Sequence, residues 1–256
     1  MADMSLAARL RAGESLYTAW SAIPEPLVSE FLGRCAFDAV TLDMQHGCHS
    51  TESVLRGIAA IKLAGKPAVV RIPVGRFDMA GRSLDFGAVA VIAPMVNSLA
   101  DARAFAASMK FPPVGERSWG PTRLLALHGI PDAQAYLESA NRDTLAIAMI
   151  ETRAAEAILD DLLAVEGIDG IFVGPSDFSI AFSNGARIDP ANEEMLAVAG
   201  RIAARAEQAG KIPCAYAASG AAAKRARSLG FRLIALSSDF GYLTVGANAI
   251  VEAARA

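Results

Sequence analysis

Apolar residues along the chain fall into two alternating kinds of run: short continuous blocks, and longer segments in which they recur every third or fourth position. The first kind reads as buried strands and the second as amphipathic helices. Strands are expected at 15–18, 37–42, 68–70, 88–93, 145–150, 168–173, 212–215 and 233–236. Helices are expected between them at 24–33, 50–63, 78–85, 99–109, around 132–139, and at 154–165, 192–208 and 221–229. An opening helix at 4–12 and a final one at 242–254 complete the pattern, and Ser50 is placed to cap the helix that follows it. A strand, a crossover helix and a second strand in one sheet lie parallel. Eight short strands alternating with helices therefore predict a (β/α)8 TIM barrel, a single domain over 1–256, rather than an open sheet.

The stretch 145–178 organises the rest. Its two strands end in Glu151 and in Gly174-Pro175-Ser176-Asp177, so both carboxylates are expected side by side on one edge of the sheet. Two such charges repel unless something positive lies between them, and a divalent cation with oxygen ligands is the simplest such object. The alternative is that Glu151 caps the following helix and Asp177 makes a loop hydrogen bond. In a barrel the chemistry sits at the C-terminal ends of the strands. Those ends carry Trp20, Asp43 with His46, Arg71, Pro94, Glu151, Gly174 to Asp177, Tyr216 and Ser237. Charged groups there are costly unless paired or ligated, so the set reads as an active site, against scattered structural polar groups.

His46 lies three residues beyond Asp43, a spacing that lets the carboxylate orient the imidazole; the other reading is a loop histidine in a turn beside Gly47. His46-Gly47-Cys48-His49 looks like a zinc cluster but lacks the spacing of one. Arg71 is suited to hold an anionic oxygen, or else to bridge the barrel mouth. Backbone N–H groups of Gly174 and Ser176 could dock a carboxylate, although a plain strand-to-helix turn would look similar. None of the five lysines falls at a predicted strand C-terminus, which disfavours an imine, and no Gly-x-Ser-x-Gly elbow supports serine hydrolysis. A metal acting as Lewis acid, an arginine and a base suit formation of an enolate next to a carboxylate. The stretch 111–131, rich in Pro, Gly and Arg, is expected to cover a site.

Composition narrows the class further. The chain has 256 residues, 53% of them hydrophobic, with a net charge of −3 and no basic cluster, which excludes nucleic acid as a partner. Three scattered cysteines, no signal-type start and no apolar run of bilayer length point to a soluble cytoplasmic protein with no membrane partner.

Six ordered motifs carry a resemblance that covers nearly the whole chain. They are Leu42-Asp43-Met44-Gln45-His46-Gly47, Val70-Arg71-Ile72-Pro73, Leu84-Asp85-Phe86-Gly87-Ala88, Phe111-Pro112-Pro113-Val114-Gly115-Glu116-Arg117, Met149-Ile150-Glu151-Thr152 and Gly174-Pro175-Ser176-Asp177. The chain resembles the HpcH/HpaI family of class II pyruvate aldolases. The resemblance implies a divalent metal (Mg, Mn or Co) held by Glu151 and Asp177, with a 2-oxo acid chelating it. It implies that amides near Gly174 and Ser176 hold the pyruvate carboxylate and that Arg71 stabilises the enolate oxygen; Pro175 between those amides, and Trp20 at its strand end, are read as substrate-binding with them. His46, oriented by Asp43, would act through a metal-bound water as base on the 4-hydroxyl. The partners implied are a small 2-oxo acid and an aldehyde. A homohexamer, a trimer of dimers, is implied too, with the last helix exchanged between subunits and Asp85 reaching a neighbour's site. The sequence departs from the family at Met149, where relatives carry glutamine, and at 117–123 and Tyr216, so the acceptor aldehyde does not transfer. Lyases acting on a coenzyme A thioester, and a barrel that binds a 2-oxo acid without turning it over, are the competing readings.

Overall fold

Each apolar block becomes a strand, and the eight strands close on themselves in chain order, every neighbouring pair parallel. A computed structural model describes residues 5–256. The first half runs α1 (Leu6–Arg11), β1 (Leu16–Ser21), α2 (Pro26–Arg34), β2 (Ala39–Asp43), α3 (Thr51–Leu63), β3 (Ala68–Arg71), α4 (Asp78–Phe86), β4 (Ala90–Ala93) and α5 (Leu99–Met109). After α6 (Thr122–His128) and α7 (Ala133–Asp143) come β5 (Leu145–Ile150), α8 (Arg153–Ala157), α9 (Leu159–Leu163), β6 (Gly170–Val173) and α10 (Pro175–Phe182). The chain closes with α11 (Glu193–Gln208), β7 (Ile212–Ala217), α12 (Gly220–Ser228), β8 (Leu233–Leu236) and α13 (Asp239–Arg255).

Successive residues of a strand face opposite sides of the sheet. One set, including Trp20, Val69, Ile92, Met149, Phe172 and Cys214, fills the barrel interior. The other set, including Val40, Val70, Val91, Ile171 and Ile234, packs against helix residues such as Ile58, Leu84 and Phe105. Both faces are buried, so the strands read as continuous apolar runs rather than as alternation. Ser50 caps α3 as expected, its hydroxyl accepting from the Ser53 amide, and Ser53 returns a bond to the Ser50 amide.

Several elements differ from the pattern-based expectation. β1 continues to Ser21 because its polar residues are satisfied: the Thr18 and Thr41 hydroxyls bond at 2.8 Å, and Ser21 bonds His49 at 3.1 Å. The helix expected over 154–165 is two, broken at Ile158. α6 was hidden by its Pro- and Gly-rich surroundings and ends at Gly129, whose φ of 64° needs a glycine-like backbone. α10 was hidden because Gly174-Pro175 reads as a turn, yet proline at the first helical position starts a helix well.

The insertion does not cover the mouth of its own barrel. It lies between α5 and β5, so it joins the strands' N-terminal ends, opposite the predicted site. Its arginines are anchors: Arg117 donates to Asp85 at 2.7 Å and Tyr136 at 3.2 Å and lies over Phe111, while Arg123 donates to the Leu55 carbonyl at 3.0 Å. α13 begins at Asp239, earlier than expected, because Ser238 caps it. Tyr242 still packs on the core, against Phe37, but from Leu243 onward the helix is open to solvent, with Leu243 61%, Val245 70% and Ile250 73% exposed. Among the described residues no helix is long and apolar enough to cross a membrane.

Candidate active site

Register brings the first two charged strand ends together. Asp43 closes β2 and Arg71 closes β3, directly opposite each other. Arg71 donates through Nε to Asp43 Oδ1 at 2.8 Å and through Nη2 to Oδ2 at 2.6 Å, a bidentate pair almost sealed from water. Oδ1 also accepts from the amides of Gln45 and His46, and Oδ2 from the Gly47 amide and the Trp20 indole. Burial by itself would raise the Asp43 pKa. The bonds and charge of Arg71, with the Gln45 amide and Trp20 indole, outweigh it and hold the carboxyl below its ordinary value. The guanidinium also lies 4.7 Å from the Trp20 ring centroid.

One expectation is corrected here. Asp43 grips the main chain of the 45–47 turn, not the His46 ring: its acceptor sites go to the nearer, charged guanidinium and to loop amides. The His46 imidazole stands exposed on the cavity wall. His49 is structural, its two ring nitrogens facing Ser21 and Ser53 at 3.1 Å each, which removes it from any zinc cluster.

The acidic pair meets differently from the simple picture of two strands each ending in a carboxylate. Ile150 is opposite Val173, so Glu151 comes level with Gly174, and Asp177 arrives in the first turn of α10. Glu151 is 1% exposed; its Oε1 accepts from the Met95 amide at 2.8 Å, whereas Oε2 is buried with no partner. Thr152, not Glu151, caps α8. Burial pushes the Glu151 carboxyl above its ordinary value, the Met95 amide offsets part of this, and the Asp177 charge adds to it. A Cβ on Gly174 would lie 2.6 Å from Glu151 Oε2, so this position admits only glycine without displacing the carboxylate.

A cavity of about 290 Å³ opens at this end of the barrel, lined by Trp20, Asp43, His46, Arg71, Gly174, Pro175, Ser176 and Asp177. Met149, Phe172 and Tyr216 join them from the strands, and Ser238 and Phe240 from the start of α13. Trp20 stacks at 5.9 Å from both Phe172 and, edge-on, Tyr216. Asp85 is not among the lining residues; it sits on α4, paired with Arg117. A larger groove of about 420 Å³ lies outside the barrel between α5 and α9 and holds none of these groups. Phe172, Ser238 and Phe240 were not singled out from sequence; counting alternate positions along β6 would have turned Phe172 inward, but nothing local marks the other two.

No cluster of three or more His, Cys, Asp or Glu suited to a metal occurs among the described residues. Glu151 and Asp177 are two oxygen donors, and an unpaired buried carboxylate oxygen is costly unless a cation meets it. That donor set fits a hard dication that keeps water or substrate oxygens on its remaining positions.

A closed parallel barrel with carboxylates, a guanidinium and an imidazole around a cavity at its C-terminal mouth defines a TIM-barrel enzyme. The HpcH/HpaI aldolase/citrate lyase family profile matches residues 17–244, and the chain belongs to that family. It is 34% identical over 244 residues to a hydroxypyruvate/pyruvate aldolase of Rhizorhabdus wittichii, covering 95% of this chain and 96% of that one. It is 31% identical to a 5-keto-4-deoxy-D-glucarate aldolase of Salmonella arizonae, over 91% and 90% of the two chains. Among solved structures, an aldolase/citrate lyase family protein from Burkholderia cenocepacia J2315 superposes with a TM-score of 0.87 at 28% identity, covering 98% of this chain and 99% of that one.

Proposed function

We propose that this chain is a divalent-metal-dependent aldolase that reversibly cleaves a 4-hydroxy-2-oxo acid to pyruvate, or a related 2-oxo acid, and an aldehyde. The observation that carries this reading is Glu151 Oε2, buried and unpaired behind Gly174, with the Asp177 charge near it; Gly174 and Asp177 both line the barrel cavity, while Glu151 itself lies just beneath that lining. The names of the aldolase relatives agree with it.

Glu151 and Asp177 would hold the cation, which when bound supplies Lewis acidity to the carboxylate and keto oxygens of a 2-oxo acid. The Gly174 and Ser176 amides lie at the start of α10, where N–H groups have no helical partner and favour an anion; they receive the substrate carboxylate. Asp43 takes two of the five guanidinium N–H groups of Arg71 and leaves three for the oxygen that gains negative charge. Asp43 thus positions Arg71 and shapes the turn that carries His46. The His46 ring accepts the proton of the 4-hydroxyl in cleavage and returns it in condensation. Trp20, Phe172 and Tyr216 form a wall that keeps water from the reacting carbons.

The working form in this reading is a homo-oligomer, a hexamer built as a trimer of dimers. The exposed apolar positions of α13 support exchange of that helix between copies. Asp85, held by Arg117 away from its own cavity, would contribute to a neighbour's site.

Incubation with pyruvate and a divalent metal in D2O, followed by proton NMR, tests the chemistry. The methyl signal should fade, and fading should stop with a chelator or with Glu151→Gln. A methyl group that stays protonated under Mg, Mn and Co alike would overturn the proposal.

A further inference from the structure

The turn after β4 is built in an uncommon backbone conformation. Met95 has φ of 54°, a left-handed value that residues other than glycine, asparagine and aspartate rarely adopt. With the chain turned this way at Met95, its N–H donates to Glu151 Oε1, 2.8 Å away. Two residues on, Asn97 Oδ1 accepts from the Thr152 hydroxyl at 2.5 Å. The turn therefore holds two consecutive residues just beyond β5. One carboxylate oxygen is anchored by a charge-assisted bond, and the other is left bare against Gly174, where the missing side chain leaves it room.

We propose that Met95 is a positioning residue: its left-handed backbone fixes the Glu151 side chain so that Oε2 alone is presented to a divalent cation. This rests on the metal reading above. A glutamate side chain has three rotatable bonds, and a ligand that must be frozen on binding binds more weakly than one already frozen. Groups that orient a ligating carboxylate typically change metal affinity by about 10- to 100-fold when lost. The donor here is main-chain, so the side chain at 95 matters only through the backbone conformation it permits.

The test is Mn²⁺ affinity, by calorimetry and by the EPR signal of free Mn²⁺, on the full chain. Glycine and asparagine reach the left-handed region easily, so Met95→Gly and Met95→Asn should bind as the parent does. Branched side chains resist it, so Met95→Val and Met95→Ile should bind about 10- to 100-fold more weakly. Equal affinity in the valine and parent proteins overturns the proposal even if the variant melts earlier, because a merely structural role would change melting alone. A second measurement needs neither metal nor a folded valine variant: with eight methionines in the chain, selective ¹⁵N-methionine labelling gives a spectrum simple enough to follow Met95. Its amide proton should shift upfield on Glu151→Gln, and an unmoved resonance overturns the proposal. A parent protein that binds no Mn²⁺ overturns the metal reading itself, and this inference with it.

Discussion

Asp43→Asn removes one charge and almost no volume from the most heavily bonded side chain at the barrel mouth. Asp43 is 2% exposed and accepts from two Arg71 nitrogens, the Trp20 indole and the amides of Gln45, His46 and Gly47. An amide has one acceptor oxygen, so its NH2 group must face donors that previously met a carboxylate, and Arg71 is left as a buried charge without its counterion. Breaking a buried pair by removing one partner costs about 3–5 kcal/mol. For a chain of this size each kcal/mol lowers the melting temperature by about 2–4 °C, so the expected fall is about 6–20 °C at fixed protein concentration. Urea unfolding gives the free energy directly, and a cycle with Arg71→Gln isolates the pair from the loop contacts. Acid sharpens the test. The Asp43 carboxyl lies below its ordinary value of 3.8, so the stability it contributes is fully present above that pH. That stability is lost as pH falls through the lower folded value, and the asparagine variant should lack this loss. A variant within about 1 kcal/mol of the parent, below the cost quoted for a broken buried pair, or a coupling energy near zero, would refute the reasoning.

The Glu151 carboxyl is raised above its ordinary value, so in the metal-free protein its contribution to stability is present below the unfolded value and is lost as pH rises through the folded one. The melting shift produced by Mn²⁺ should therefore grow with pH across that window, and a pH-independent shift would contradict the assignment. In Gly174→Ala the new Cβ meets Glu151 Oε2 at 2.6 Å, so Mn²⁺ affinity measured by calorimetry should fall by about 10- to 100-fold. His46→Ala removes an exposed side chain: folding and Mn²⁺ binding should be unchanged while steady-state aldol cleavage slows by about 10²- to 10⁴-fold, and loss of metal in this variant would show the role to be wrong. If copies exchange α13 as proposed, Ile250→Asp, at a position 73% exposed in the single chain, should lower the mass seen in analytical ultracentrifugation below that of the parent; equal masses would count against that exchange.

Much of the fold was legible because the two burial periods are physically distinct. β5, β8 and α5 fall where the apolar pattern places them, at Leu145–Ile150, Leu233–Leu236 and Leu99–Met109. Strands buried on both faces leave an unbroken apolar block that few other elements produce at that length. The strand expected at 15–18 stops short of Ser21 because nothing local shows that this polar residue is satisfied; its partner, His49, comes from another part of the chain. One helix is expected over 154–165 because Ile158 keeps the apolar rhythm, yet its backbone leaves the helical conformation and splits the segment in two.

The sequence by itself determined the eight-fold alternation, the edge on which the chemistry gathers, and which residues stand at the strand ends, because burial periodicity and parallel topology are local or combinatorial facts. Tertiary structure decided which charges meet. Asp43 went to Arg71 because adjacent strands put the two in register, not to the histidine three residues away in the chain. Glu151 received its hydrogen bond from the main chain of Met95, 56 residues earlier, a donor every residue but proline possesses and no pattern can mark. Partner choice among charged groups depends on distance and burial in three dimensions, and neither is written in spacing along the chain.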